Sequence, residues 1–94
     1  MSRINLEGNR PTLELVVGLD RPLQQWFYQV WDSAVSNEEP ILDSISKSCP
    51  ISGPSRGEML EVIQEYARTS PLRHLVEQAI ALDIDPEDLL KPNH

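Results

Sequence analysis

The sequence predicts an α+β fold. About residues 12–46 are expected to form an antiparallel β-hairpin or a three-stranded meander, which packs against a helical hairpin at about residues 55–82 and a short terminal helix. Hydrophobic residues alternate with a period of two in the first part and recur at helical spacing in the second. Residues 47–54 contain two prolines and a glycine, which is typical of a linker. One small domain is predicted, with a β-rich half (1–46), a linker (47–54) and a helical half (55–90).

The first central strand is predicted over residues 12–19. Alternate residues of a strand point to opposite faces, and here one face would carry Glu14 and Gly18. The opposite face would be apolar, as expected of a half-buried strand, and would carry Leu13, Leu15, Val17 and Leu19. Residues 1–11 show little pattern and close with Asn9-Arg10-Pro11, so an extended arm or an edge strand is expected at the start of the chain.

Residues 23–32 fit two structures. As a helix, the segment would bring its apolar residues to one side at helical spacing. As a strand, it would place Trp26 and Tyr28 on one face and Phe27 and Trp31 on the other, which suits the β propensity of aromatic residues. The strand is favoured because residues 12–19 need a hydrogen-bonding neighbour, and a turn through residues 18–22 supplies it. A short third strand is expected within residues 41–46.

Helix start signals recur three times in the second half. Ser55-Arg56-Gly57-Glu58 has the form of a capping box, in which Glu58 reaches back to the cap. Ser70-Pro71 offers a second N-cap followed by proline, and residues 85–88 offer a third. The apolar positions behind the first two caps are Met59, Val62, Ile63, Tyr66 and Ala67, and then Leu72, Leu75, Val76, Ala79 and Ile80. The short connection at residues 68–70 predicts an αα-hairpin.

The net charge of the chain disfavours some classes of binding partner. Fifteen acidic residues against eight basic ones give a net charge of −7, so nucleic acids and anionic membranes would repel the chain. We therefore expect no direct nucleic-acid binding and no membrane binding. Residues 1–7 lack the apolar stretch of a secretory signal, so none is expected, and no apolar run in the sequence reaches the length of a membrane span. A single cysteine, Cys49, favours the reducing cytoplasm and leaves no disulfide framework or cysteine-based zinc site.

Motifs for catalysis are weak. The sequence contains no glycine-rich phosphate loop, no nucleophile elbow and no zinc-protease motif, so we expect a protein that is not an enzyme and needs no cofactor. An unrecognised enzyme remains as an alternative. It would use Cys49 as a nucleophile with His74 as its base, although only Lys47 is placed to lower the pKa of the thiol.

Clusters of acidic residues have plainer explanations than metal binding. Asp83-x-Asp85-x-Glu87 begins like a calcium loop but lacks the required glycine, so a helix cap at Asp85 explains it better. His74 and Glu77 share a helix face and are expected to form a surface pair. No metal site is predicted. A further row of carboxylates is expected to face solvent, and it consists of Glu58, Glu61 and Glu65.

The most informative feature is an aromatic cluster. Trp26, Phe27, Tyr28 and Trp31 are four of the chain's five aromatic residues and fall within six positions. A two-layer domain covers one sheet face, so these side chains either form most of the core or leave one aromatic face exposed for a partner. From this cluster we predict a small acidic interaction protein, an adaptor, regulator or inhibitor, that binds a protein partner or a second copy of itself.

A rival hypothesis uses the acidic residues. Asp32, Glu38, Glu39 and Asp43 follow one another with no lysine or arginine between them. Such a surface would suit a phage- or plasmid-type inhibitor that mimics nucleic acid in a partner's basic groove. Its affinity would fall steeply with salt, whereas binding through aromatic side chains would depend on salt only weakly.

Overall fold

A four-stranded antiparallel sheet forms the N-terminal half of the protein in a computed structural model, which describes residues 3–20, 25–44 and 54–90. The strands are β1 (Ile4–Glu7), β2 (Leu13–Asp20), β3 (Gln25–Asp32) and β4 (Leu42–Asp43), and they lie in the sheet in chain order. Every neighbouring pair is antiparallel. The α+β fold predicted from the sequence is confirmed, and the predicted edge strand at the start of the chain is β1.

Residues 25–32 form a strand and not a helix. They pair with β2 along their whole length, from Leu13 opposite Asp32 to Asp20 opposite Gln25. The hydrogen-bonding requirement of β2 thus outweighs the helical spacing of the aromatic residues. The short third strand expected within residues 41–46 corresponds to β4, which contains Leu42 and Asp43 among the described residues.

The inner face of the sheet, defined as the face that meets the helices, carries the main core. β1, β2 and β3 contribute alternate residues to it, as strand geometry requires. Its buried members are Ile4, Leu6, Leu13, Leu15, Val17, Leu19, Trp26, Tyr28 and Val30. The helices contribute Met59, Val62, Ile63, Ala67, Val76 and Ile80 to the same cluster, so the two halves of the chain share one hydrophobic core.

Three helices follow, α1 (Arg56–Tyr66), α2 (Pro71–Leu82) and α3 (Pro86–Leu90). Ser55 caps α1 and Ser70 caps α2, each accepting a hydrogen bond from the backbone N–H three residues on. The predicted cap positions are confirmed. One detail differs: the Glu58 side chain does not reach back to the cap but accepts a hydrogen bond from the Tyr28 hydroxyl. The partly buried hydroxyl of Tyr28 thus binds the Glu58 carboxylate, which the capping-box pattern had assigned to the N-terminus of α1.

The connection between α1 and α2 covers part of the sheet's edge. Gly8, just after β1, and Ala67 form an antiparallel bridge. The Arg68 N–H donates to the Glu7 carbonyl at 2.8 Å, and the Asn9 N–H donates to the Tyr66 carbonyl at 2.9 Å. Exposed edges invite pairing with other chains, so this short backbone ladder protects the end of β1. It also fixes the connection against the sheet.

Some predictions concern residues outside the described ranges. These include the turn at residues 21–22, the end of the predicted third strand at residues 45–46, the linker at residues 47–53 and Cys49.

The longest helix, α2, has twelve residues, and no helix in the described part of the chain has the length and apolarity to cross a membrane.

Candidate partner-binding groove

The aromatic segment divides between the two faces of the sheet. Trp26 and Tyr28 lie in the core on the inner face. Phe27 lies on the outer face but is only 7% exposed. The register places it opposite Gly18, which has no side chain. Trp31 is half-buried on the outer face. The continuous exposed aromatic face that the sequence allowed is therefore not formed, and Trp31 is its accessible member.

The two aromatic residues of the core have hydrogen-bond partners for their polar atoms. The Trp26 Nε1–H donates to Asp83 Oδ1 at 3.2 Å. The Tyr28 hydroxyl donates to Glu58 Oε2 at 3.2 Å. Burial, followed by the hydrogen bond and the negative charge of Glu58, raises the pKa of Tyr28 above its usual 10.0. Trp26 and Tyr28 are therefore buried with the polar atoms of their side chains hydrogen-bonded within the chain, as is usual for buried Trp and Tyr.

Trp31 ends a row of side chains across the outer face. Glu7 of β1 lies opposite Glu14 of β2, and Glu14 lies opposite Trp31 of β3. Residues at such positions project to the same face as near neighbours. Two carboxylates and one indole are thus set side by side at one end of the sheet.

A groove of about 1180 Å³ adjoins this row. Three chain segments line it: the β1–β2 turn, the loop after β3, and the end of α1 with the α1–α2 connection. Polar side chains from these segments include Asn9, Thr12, Ser33, Ser36, Asn37, Gln64 and Thr69. The charged lining residues and the indole are Glu7, Glu14, Arg10, Arg68, Arg73 and Trp31.

The three arginines are held to different degrees. Arg73 is 17% exposed and pairs with Glu77 at 3.4 Å. Its guanidinium also donates to the Ala67 carbonyl at 3.0 Å and to Thr69 Oγ1 at 3.3 Å, so it braces the α1–α2 connection. Arg68 pairs with Glu7 at 3.3 Å, and both side chains are largely exposed.

Arg10 is the third arginine of the groove. Its Nη2 lies 3.6 Å from Asp32 Oδ2, while its side chain is 62% exposed. The Asp32 side chain is only 9% exposed, whereas both side chains of the Arg68–Glu7 pair are exposed, and exposed ion pairs are weak. Arg68 is therefore the guanidinium of the groove that is held least firmly, and Arg73 is held by several hydrogen bonds.

Only part of the predicted acidic surface is exposed to solvent. Asp32 is 6% exposed, which corrects its assignment as a surface acid. Its Oδ1 accepts a hydrogen bond from the Ala34 N–H at 2.9 Å, and its carbonyl accepts from the N–H groups of Val35 and Ser36. An aspartate that binds the backbone two residues on is a turn former.

The remaining acids of that set lie elsewhere in the β3–β4 region. Glu38 and Glu39 are exposed in the loop after β3. Asp43 is half-buried and accepts a hydrogen bond from Gln29 Nε2 at 3.3 Å. Two freely exposed carboxylates are therefore left from the four that the sequence grouped together.

Other polar residues singled out in the sequence have structural contacts. Asp85 Oδ1 accepts from the Glu87 N–H, as expected of a cap, and Asp83 ends α2 in a left-handed conformation. Glu77 pairs with Arg73 and not with His74, which corrects the expected His–Glu pair. Glu61 and Glu65 are exposed, as expected. Within the described ranges, no three His, Cys, Asp or Glu side chains gather at a metal-binding distance.

Sequence reasoning missed the groove and its arginines. Arg10 lies about sixty positions before Arg68 and Arg73 in the chain, and the backbone ladder around the Gly8–Ala67 bridge brings the β1–β2 turn beside the α1–α2 connection. The turn residues Asn9-Arg10-Pro11 were the one local signal.

No protein-family model, no curated protein and no solved structure matches this chain.

Proposed function

We propose that this chain is a small non-enzymatic binding protein whose protein partner docks in the groove, with Trp31 as its aromatic anchor. One observation supports the proposal above the others. Of the four clustered aromatic residues, three are buried, and the half-buried fourth lies on the lining of a groove. Tryptophan and arginine are the residue types that contribute most often to the binding energy of protein interfaces.

The chemistry of the lining supports recognition. It presents guanidinium groups, amides, hydroxyls and one indole. Such groups orient a partner through hydrogen bonds and stacking, and a central aromatic residue surrounded by polar ones is the usual anatomy of a protein interface. The backbone ladder between β1 and the α1–α2 connection holds two walls of the groove together before a partner arrives.

Site-specific photo-crosslinking tests this proposal. A benzophenone amino acid is placed at position 31, or at exposed Gln78 of α2 outside the groove as a matched control. Each variant is irradiated in extract of the source cells, and adducts are identified by mass. We expect one discrete protein adduct from position 31 that is absent from position 78 and that competes with unlabelled wild-type protein. No adduct at position 31, or the same adducts at both positions, would contradict the proposal.

A further inference from the structure

We propose that the groove takes an arginine side chain of the partner, which stacks on the Trp31 indole and pairs with the Glu14 carboxylate. This inference rests on the proposed function and adds the chemistry of the group that the partner inserts. Glu14 and Trp31 lie directly opposite each other in the register between β2 and β3, and both line the groove. A carboxylate beside an aromatic ring is a pair of groups that binds a cation.

Glu14 is the carboxylate of this region that has no partner. Each arginine of the groove already lies close to another carboxylate, and these pairs are Arg68–Glu7 at 3.3 Å, Arg10–Asp32 at 3.6 Å and Arg73–Glu77 at 3.4 Å. Across residues 3–20, 25–44 and 54–90, the Glu14 side chain has no hydrogen bond and no ion pair. Its exposed carboxylate is therefore available to a cation from outside the chain.

The local charge selects a basic group. The three arginines and the four carboxylates, which are their three partners and Glu14, leave a formal charge of −1. The whole chain carries −7, so its net charge has the same sign as the groove. An acidic chain attracts a basic partner at a distance, and the unpaired carboxylate fixes the partner's position at contact.

The order of side chains across the outer face keeps Glu14 free. The Arg68 N–H donates to the Glu7 carbonyl at 2.8 Å, so Arg68 lies beyond the edge of β1. Glu7 is opposite Glu14, and Glu14 is opposite Trp31, which places Glu7 between Arg68 and Glu14. Because like charges at opposed positions of a sheet repel each other, a cation supplied by the partner at Glu14 also relieves its repulsion with Glu7.

The Trp31 indole is open to a partner. The Trp26 N–H donates to Asp83, whereas the Trp31 N–H has no acceptor within the described ranges. No side-chain nitrogen or oxygen in those ranges is buried without a hydrogen-bond partner, so the N–H of half-buried Trp31 reaches solvent. It can therefore donate to a partner carbonyl while the ring stacks on a cation.

Arginine fits this pair of groups better than lysine does. Opposed residues of an antiparallel sheet have Cβ atoms about 4.5–5.5 Å apart, so one inserted side chain can contact both Glu14 and Trp31. A guanidinium is planar, stacks on aromatic rings and donates two parallel hydrogen bonds to a carboxylate. A lysine ammonium is a strongly hydrated point charge. The inferred ligand is thus an arginine-bearing segment of the partner.

The experiment titrates ¹⁵N-labelled protein with a capped Gly-Arg-Gly-Arg-Gly peptide, and with a counterpart that has uncharged citrulline in place of arginine, at about 0.15 M salt. We expect the arginine peptide to shift the Trp31 indole signal and the Glu14 amide signal. The Trp26 indole, which is hydrogen-bonded to Asp83, should stay in place. Equal shifts with the citrulline peptide, or shifts confined to other surfaces, would overturn the inference.

A lysine peptide of the same length tests the choice of cation. It should bind about two- to five-fold more weakly than the arginine peptide, because an ammonium neither stacks nor pairs in a bidentate manner. Equal or tighter binding of the lysine peptide would refute the arginine preference.

Charge variants separate a local contact from the net charge of the chain. Glu14→Gln should weaken binding of the arginine peptide about three- to ten-fold, and Trp31→Leu should weaken it about two- to five-fold. Glu61→Gln is the matched control, because Glu61 is an exposed glutamate outside the groove and its replacement changes the net charge equally. Equal weakening by Glu14→Gln and Glu61→Gln would refute the site. Absence of any peptide effect with a persistent adduct at position 31 would refute the arginine ligand and leave the proposed function standing.

Discussion

The indole N–H of Trp26 donates to Oδ1 of Asp83, the residue at which α2 ends in a left-handed conformation with φ 57° and ψ 44°. The Asp83 side chain thus accepts a hydrogen bond from a buried donor in β3, while the Asp83 backbone ends α2. Aspartate and asparagine tolerate this conformation better than other residues with a side chain beyond Cβ. The contact joins the sheet to the far end of the helical hairpin.

Asp83→Ala should lower the free energy of unfolding by about 1–2 kcal/mol, since it removes the indole's acceptor and leaves alanine in a strained conformation. Asp83→Asn keeps an acceptor oxygen and should cost less than about 1 kcal/mol. Urea unfolding measures both, and the Trp26 indole NMR signal reports the hydrogen bond. Equal losses in the two variants would show that the carboxylate charge, and not the acceptor geometry, is what matters.

Gly8 should not tolerate a side chain. A Cβ at this position would overlap with the Leu13 Cβ and lie 2.5 Å from the Leu13 carbonyl oxygen. Gly8→Ala should therefore cost about 2 kcal/mol or more, because the β1–β2 turn and the bridge to Ala67 would both have to shift. Gly57→Ala is the matched control. Its nearest contact would be at 3.9 Å, so urea unfolding should show no loss and a gain of up to about 1 kcal/mol.

Tyr28 should contribute to alkaline unfolding. Its pKa in the folded chain is raised above 10.0 by burial first and by Glu58 second, so the folded state favours the neutral phenol. That contribution is fully present below the unfolded pKa of about 10 and is lost as the pH rises through the folded value. Tyr28→Phe should therefore lose less stability than wild type above pH 10.

Urea unfolding of wild type and of Tyr28→Phe, from about pH 8 to 11, measures this alkaline loss of stability. Identical pH profiles for wild type and Tyr28→Phe would contradict the assignment. At neutral pH, loss of the hydrogen bond to the exposed Glu58 should cost Tyr28→Phe no more than about 1 kcal/mol.

Asp32 should behave as a turn residue and not as a surface acid. Asp32→Ala removes the acceptor for the Ala34 N–H and should cost about 1–3 kcal/mol, while Asp32→Asn retains an acceptor oxygen and should cost less. Glu39→Ala, an exposed acid in the same loop, should stay within about 0.5 kcal/mol of wild type in thermal or urea unfolding. An equally small effect of Asp32→Ala on the free energy of unfolding would contradict the role of Asp32 in the turn.

Local patterns were sufficient for the elements. The alternation through residues 12–19 predicted β2, which spans Leu13–Asp20, and Ser55 and Ser70 marked the starts of both long helices. The aromatic spacing of β3 fits a helix as well as a strand. The strand was predicted because β2 needs a hydrogen-bonding neighbour. These features are decided within one segment or between neighbours in the chain.

Contacts between distant segments could not be predicted in the same way. The position of Phe27 opposite Gly18 depends on the register between β2 and β3, and the role of Asp32 depends on the path of the loop after β3. The groove requires the Gly8–Ala67 bridge, which joins residues about sixty positions apart. Sequence periodicity records which side of an element is apolar but not which loops meet at its end.

Acrylamide quenching of single-tryptophan variants, combined with light scattering, tests most directly the claim that Trp31 is open to a partner. Trp26→Phe leaves Trp31 as the fluorophore, and Trp31→Phe leaves Trp26. We expect a monomer in which Trp31 is quenched several-fold more strongly than buried Trp26. Equal shielding of both tryptophans in the monomer, or shielding of Trp31 through dimer formation, would contradict an open groove.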